Sequence, residues 1–248
     1  MAYAVHEKLI ISGKVVEHYQ YEKPYYVGFP QLWRSKKPFK RLKTDSEQKS
    51  IREDNVKRTR TQIRRLVNCN TDMTKFLTLT FNSEMTSLTK ANKLFNEFIK
   101  RLSRLYPQLK YIAIPEFQGD TDFFGNIKPN GGSVHYHILL NLPFVPSAKI
   151  EKIWQNGFIK VKKINNIDNV GAYVCKYLGK ENFDARFFKK KKFFRSLNLA
   201  VSVVVDKFNE LKQNLAFFSP DSMILKFESS FLSKWLGVVQ YKQYNLYS

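Results

Sequence analysis

Two histidines one residue apart, His135 and His137, lie in the apolar run GGSVHYHILLNLPF, in a chain with four histidines in all. If this run is a β-strand, residues i and i+2 share a face, so both imidazoles project together and Tyr136 points away. Neutral imidazoles at that spacing can coordinate one cation, and they can equally be satisfied by ordinary hydrogen bonds. A third donor lies upstream in KYIAIPEFQ, where Ile112, Ile114, Glu116 and Gln118 fall on one strand face. The connection GDTDFFGNIKPNGG is long enough for the two strands to pair antiparallel. A carboxylate ending an otherwise apolar strand needs a cation or hydrogen-bond donors if it is buried; if exposed, it pairs with a lysine. Two histidines with Glu116, and Gln118 in reserve, leave coordination positions open, as in a catalytic rather than a structural metal site.

A second constellation is NVGAYVCKYLGK, residues 169–180. At about 100° per residue, Tyr173, Lys176, Tyr177 and Lys180 fall within roughly a 100° arc of a helix. Gly171, Val174, Cys175 and Leu178 take the opposite side, which would pack on a sheet. One helix face then presents two phenols and two ammoniums. An ammonium favours phenolate or neutralises a phosphate oxygen in a transition state. The same residue types also cover ordinary surfaces, since Tyr and Lys are amphipathic.

The elements that must position these groups follow from periodicity. FLTLTFN alternates with period two and reads as a strand. TKANKLFNEFIKRLSRLY repeats Leu94, Phe95, Phe98, Ile99, Leu102 and Leu105 at three and four, as a helix does. KYIAIPEFQ and the histidine run are strands, SAKIEKIWQNG is a short helix with Ser147 as cap and Gly157 as stop, and FIKVKKI is a strand. The tyrosine helix follows, then RFFKKKKFFR as a basic aromatic strand or loop. The order β-α-β-β-α-β-α predicts an α+β fold, a mostly antiparallel sheet of about five strands flanked by helices. We expect residues 1–66 to be a basic N-terminal extension with a helix. Residues 67–200 form the domain that bears the site, and 201–248 a C-terminal extension packing on it, with a strand at LAVSVVV and a helix near 206–216.

Charge points to the partner. The chain carries 42 Lys+Arg against 21 Asp+Glu, a net charge of +21. Such an excess is kept where a polyanion is close, nucleic acid first and an anionic membrane surface second. No run of 18 or more apolar residues exists, which sets membrane insertion aside. The N-terminus lacks the blocks of a signal peptide. Two cysteines, Cys69 and Cys175, make no disulfide framework and fit a reducing cytoplasm. No phosphate-binding G-x-x-x-x-G-K-[ST] loop is present, so no ATP-driven motor resides here. The basic helix SEQKSIREDNVKRTRTQIRRLVN, with Ser46 as cap, supplies Arg58, Arg60, Arg64 and Arg65 for phosphate contact. Lys189, Lys190, Lys191 and Lys192, interleaved with phenylalanines, suit unpaired bases, and Lys180 adds a cation to the tyrosine helix.

FLTLTF, then HYH framed by apolar residues, then YVCKYLGK, in this order, resembles the three motifs of HUH rolling-circle replication initiators. The spacing in YVCKY is similar to that of the two-tyrosine class found in small single-stranded DNA phages. RTRTQIRRLVNCN and FFRSLNL also resemble the surroundings of those motifs, so the likeness covers roughly residues 58–200.

The resemblance implies an HUH endonuclease domain, a five-stranded antiparallel sheet with the histidines on its central strand and the tyrosine helix beside it. It implies one divalent ion, Mg²⁺ or Mn²⁺ (Zn²⁺ also suits these ligand types), held by His135, His137 and Glu116. Tyr173 and Tyr177 would be nucleophiles and Lys176 would assist the phosphate, while Thr78 and Thr80 belong to the first motif. The implied activity is nicking and rejoining of single-stranded or extruded origin DNA, with host helicase and polymerase as partners. Two rival readings are a single-tyrosine relaxase or transposase, and a non-catalytic basic nucleic-acid-binding protein.

Overall fold

A computed structural model describes residues 2–28, 45–119, 121, 126–128, 131–164, 170–176, 185–187, 190–207 and 223–247. The chain divides into two compact units, one of residues 46–200 and one joining residues 1–45 to 201–248.

The unit of residues 46–200 holds the helix α1 (Asp45–Cys69), followed by β3 (Lys75–Leu79), α2 (Leu88–Leu105), β4 (Tyr111–Phe117) and β5 (Val134–Leu140). After these come α3 (Ser147–Trp154), β6 (Ile159–Lys163), α4 (Val170–Cys175), a 3-10 turn at Ala185–Phe187, and β7 (Phe194–Arg195). Five antiparallel strands run in the order β6-β3-β5-β4-β7, so β5, the histidine strand, is central. The expected α+β class and element order are observed.

Each sheet face has its own core. Alternating residues Leu77, Leu79, Ala113, Val134, Tyr136, Ile138 and Leu140 pack with Phe95, Phe98 and Leu102 of α2 and Ile150 and Trp154 of α3. Phe76, Ile112, Ile114 and Leu139 form the opposite cluster with Ile63, Leu66 and Val67 of α1 and Val174 of α4. A period-two pattern apolar on both faces is what a central strand covered on both sides requires. Tyr136 locks β5 to α2: its ring stacks on Phe95 at 4.4 Å and its hydroxyl donates to Asn92 Oδ1 at 2.7 Å. Burial pushes that phenol's pKa up, so it stays protonated.

Local details differ from the sequence reading. Helix α1 begins at Asp45, which places Ser46 inside it and not at its cap. The cap position of α3 falls on Pro146, φ −54°, with no side-chain cap bond, and Ser147 is the first helical residue. That helix ends at Gln155, φ 65°, whose N–H reaches Glu151 O. Gly157 is not the stop. It is needed because a Cβ there would lie 2.4 Å from Thr80 O. Leu105, counted in the buried stripe of α2, is 54% exposed where the helix runs out. Pro115 fits inside β4 because β7 pairs only with Ile112 and Ala113, leaving that edge open where the missing N–H would point.

The other unit is a second five-stranded antiparallel sheet, ordered β8-β1-β2-β10-β9. Its strands are β1 (Tyr3–Ser12), β2 (Val15–Val27), β8 (Val203–Val205), β9 (Met223–Ser233) and β10 (Gly237–Leu246). Strand β2 pairs with β10, for example Tyr21 with Val239. Sequence alone suggests boundaries at 66/67 and 200/201. The structure joins the two termini in one sheet and groups α1 with the histidine sheet. LAVSVVV supplies β8, and the helix expected near 206–216 falls mostly outside the described residues.

Candidate functional site

Register builds the site. Glu116 is opposite His135, and Ile114 is opposite His137, in the β4–β5 pair. On the other side of β5, Thr78 of β3 is opposite His137. Partners directly across an antiparallel pair project to the same face, so His135, His137, Glu116 and Thr78 share the face that α1 and α4 cover.

His137 is 7% exposed, and both ring nitrogens are engaged. Nε2 contacts Glu116 Oε2 in a very close hydrogen-bonded pair, and Nδ1 lies 3.3 Å from Thr78 Oγ1. With the carboxylate as acceptor, Nε2–H donates and Nδ1 accepts from the threonine hydroxyl. His135 sits beside it, ring centroids 6.5 Å apart. Desolvation, then the neighbouring His137, lowers its pKa to about 4 against a partial offset from Glu116. His135 is therefore an uncharged imidazole, with one unprotonated ring nitrogen, at neutral pH.

Phe76 joins this group to the tyrosine helix. Its ring stacks on His137 (5.9 Å, 17° between planes) and meets Tyr173 edge-on (5.1 Å, 73°). One phenyl ring thus separates an imidazole of the central strand from the phenol on α4. The ammonium of Lys176 lies 4.1 Å from the Tyr173 ring centroid, within cation–π range. Tyr177 and Lys180 lie outside the described residues, as does Lys189.

Helix α4 is seated by α1. Gly171 approaches so closely that a Cβ would lie 3.3 Å from Arg64 Cα, and Cys175 Sγ donates to Arg60 O at 3.4 Å. Burial pushes the Cys175 thiol up to about 11, making it a packing group and not a nucleophile. Arg60 and Arg64 are thereby brought to the histidine face, with Arg58 exposed and Arg65 half-buried on the same helix. The lysine run is placed differently. Lys191 lies over Phe194 at 5.8 Å and Lys192 over Phe187 at 5.2 Å. Those rings belong to the cluster on the opposite sheet face. Lys190 is exposed, and the structure does not gather these three lysines with the imidazoles.

Among the described residues no group of three or more His, Cys, Asp or Glu is arranged to hold a metal ion; Glu116 is engaged by His137. The donor types still fit a divalent cation, because one imidazole is held neutral and a second imidazole and a carboxylate are its strand neighbours. Sequence reasoning missed Phe76, which reads as an ordinary core residue of the first motif, and gave Thr78 no role at His137.

A family model for replication-associated proteins, described as covering ORF2 and the gene 2 protein, matches residues 74–182. That span runs from β3 through α4 and contains Glu116, His135, His137, Tyr173 and Lys176, while α1 and the terminal sheet lie outside it. No curated protein and no solved structure matches. The family match supports a role in initiating DNA replication. Among the described residues no helix is long and apolar enough to cross a membrane.

Proposed function

We propose that the chain is a tyrosine nickase that opens and rejoins single-stranded origin DNA, with Tyr173 as the attacking group. The observation that supports this most is the double contact of Phe76, which sets the phenol of α4 beside the paired imidazoles. The phenol oxygen attacks phosphorus, the bond from phosphorus to the 3′ oxygen breaks, and the phenol proton ends on that oxygen. The products are a 5′-phosphotyrosine and a free 3′-OH. One phosphate ester replaces another, so the step is nearly isoenergetic and reverses readily. Lys176 faces negative charge as it develops on the phenol or the phosphate. Tyr177, one turn on in the sequence, is the second nucleophile that releases a rejoined strand.

His135, His137 and Glu116 would hold Mg²⁺ or Mn²⁺. When bound, such an ion polarises a non-bridging oxygen of the scissile phosphate. Binding requires Glu116 to give up its bond to His137. The substrate strand must be unpaired or extruded to reach the site, so unwinding falls to a host helicase and extension of the 3′-OH to a host polymerase.

The test is incubation with labelled single-stranded origin DNA and Mn²⁺, followed by a denaturing gel. A covalent protein–DNA band with the wild type, absent from Tyr173→Phe, is the expected result. Metal-independent binding without any adduct would replace this reading by that of a basic DNA-binding protein.

A further inference from the structure

We infer that the outer strand β6 carries a track for the single DNA strand, formed by Phe158, Lys160 and Lys162, leading to the histidine face. This rests on the nickase reading above. In the β3–β6 pair, Lys160 is opposite Thr78, which is opposite His137, and Lys162 is opposite Phe76, which is opposite Leu139. Phe158 continues the series, its carbonyl accepting from Thr80 N at 2.9 Å. Cross-strand partners project together, so these residues lie on the same face as His137, two strand spacings away, about 10 Å.

All three are open to solvent. Phe158 is 68% exposed, and Lys160 and Lys162 are exposed. Neither ammonium has an ion-pair partner among the described residues, although the neighbouring sheet positions are packed. Their two-residue spacing sets the charges about 6.6 Å apart along the strand, a step comparable to that between successive phosphates of an extended chain. Lysines on a sheet edge can serve simply to block pairing with another edge. That role does not call for an exposed phenyl ring in the same row, whereas stacking on unpaired bases does. The charge and ring face a polyanion with accessible bases, and continuity with Thr78 and His137 leads that strand to the proposed site.

The experiment measures binding of a fluorescein-labelled oligodeoxythymidylate by anisotropy across a series of NaCl concentrations. Each phosphate contact on a single strand contributes about 0.7 to the slope of log affinity against log salt. Lys160→Gln/Lys162→Gln should lower that slope by about 1.4, and Phe158→Ala should weaken binding about ten-fold at fixed salt. Lys163→Gln, on the other face of β6, is the matched control and should leave the slope unchanged. A wild-type slope in the double variant, or an equal loss from Lys163→Gln, overturns the track. The adduct assay on the same proteins separates the two claims. Absence of wild-type adduct sinks the nickase reading alone, while a full adduct with an unchanged slope in the double variant sinks the track alone.

Discussion

The ring of Phe76 is 2% exposed and touches both His137 and Tyr173, so shortening it acts on stability and chemistry together. Phe76→Ala should cost about 3–5 kcal/mol by chemical denaturation. Phe76→Leu retains most of the apolar volume, so it should cost less, yet adduct yield should still fall because no flat ring orients the phenol. His135 gives a pH signature. Its folded pKa, about 4, is below the ordinary value of 6.5, so between those pH values the unfolded chain binds the extra proton. Folding therefore gains stability as pH rises from 4 to 6.5 and gains no more from this group above that window. Thermal melts should show the wild type losing stability on acidification through the same window, and His135→Asn losing less. The imidazole pair was readable from sequence because two rare residues stood at strand spacing. Phe76 was not, because a phenylalanine in an apolar strand carries no mark of what its ring will meet.

At the scale of elements, the ends of β4 and β5 bring Glu116 to His135, and their connection must return tightly to do so. A Cβ on Gly132 would lie 1.6 Å from Gln118 O, a clash with backbone that no rotamer relieves. Gly132→Ala should destabilise by about 2 kcal/mol and lower adduct yield more than a surface substitution of equal size, measured by denaturation and by the gel assay together. The strand and helix order from β3 to α4 was legible because each element is long enough to show its period. The ends were less so. Pro146 and Gln155 bound α3 where Ser147 and Gly157 were expected, since caps depend on backbone angles that several residue types can adopt. The packing of α1 on α4 was hidden for a related reason: the close approach at Gly171 leaves only a glycine as its trace.

Across the whole molecule, the two termini form one sheet because β2 pairs with β10. Partners so far apart in the chain leave no local pattern, and the terminal segments therefore read as separate extensions. Removing residues 223–248 deletes β9 and β10 and leaves β2 without its neighbour. Limited proteolysis should then cut residues 2–28 quickly, while residues 46–200 remain protected and form the adduct. The most direct measurement of the central claim, that the α4 phenol and the β5 imidazoles make one nicking site, is mass spectrometry of the protease-digested protein–DNA adduct. The account predicts a nucleotide on the peptide containing Tyr173, formed with Mn²⁺ and lost in His137→Ala. A nucleotide attached to a residue remote from α4, or an adduct that persists undiminished without His137, would contradict it.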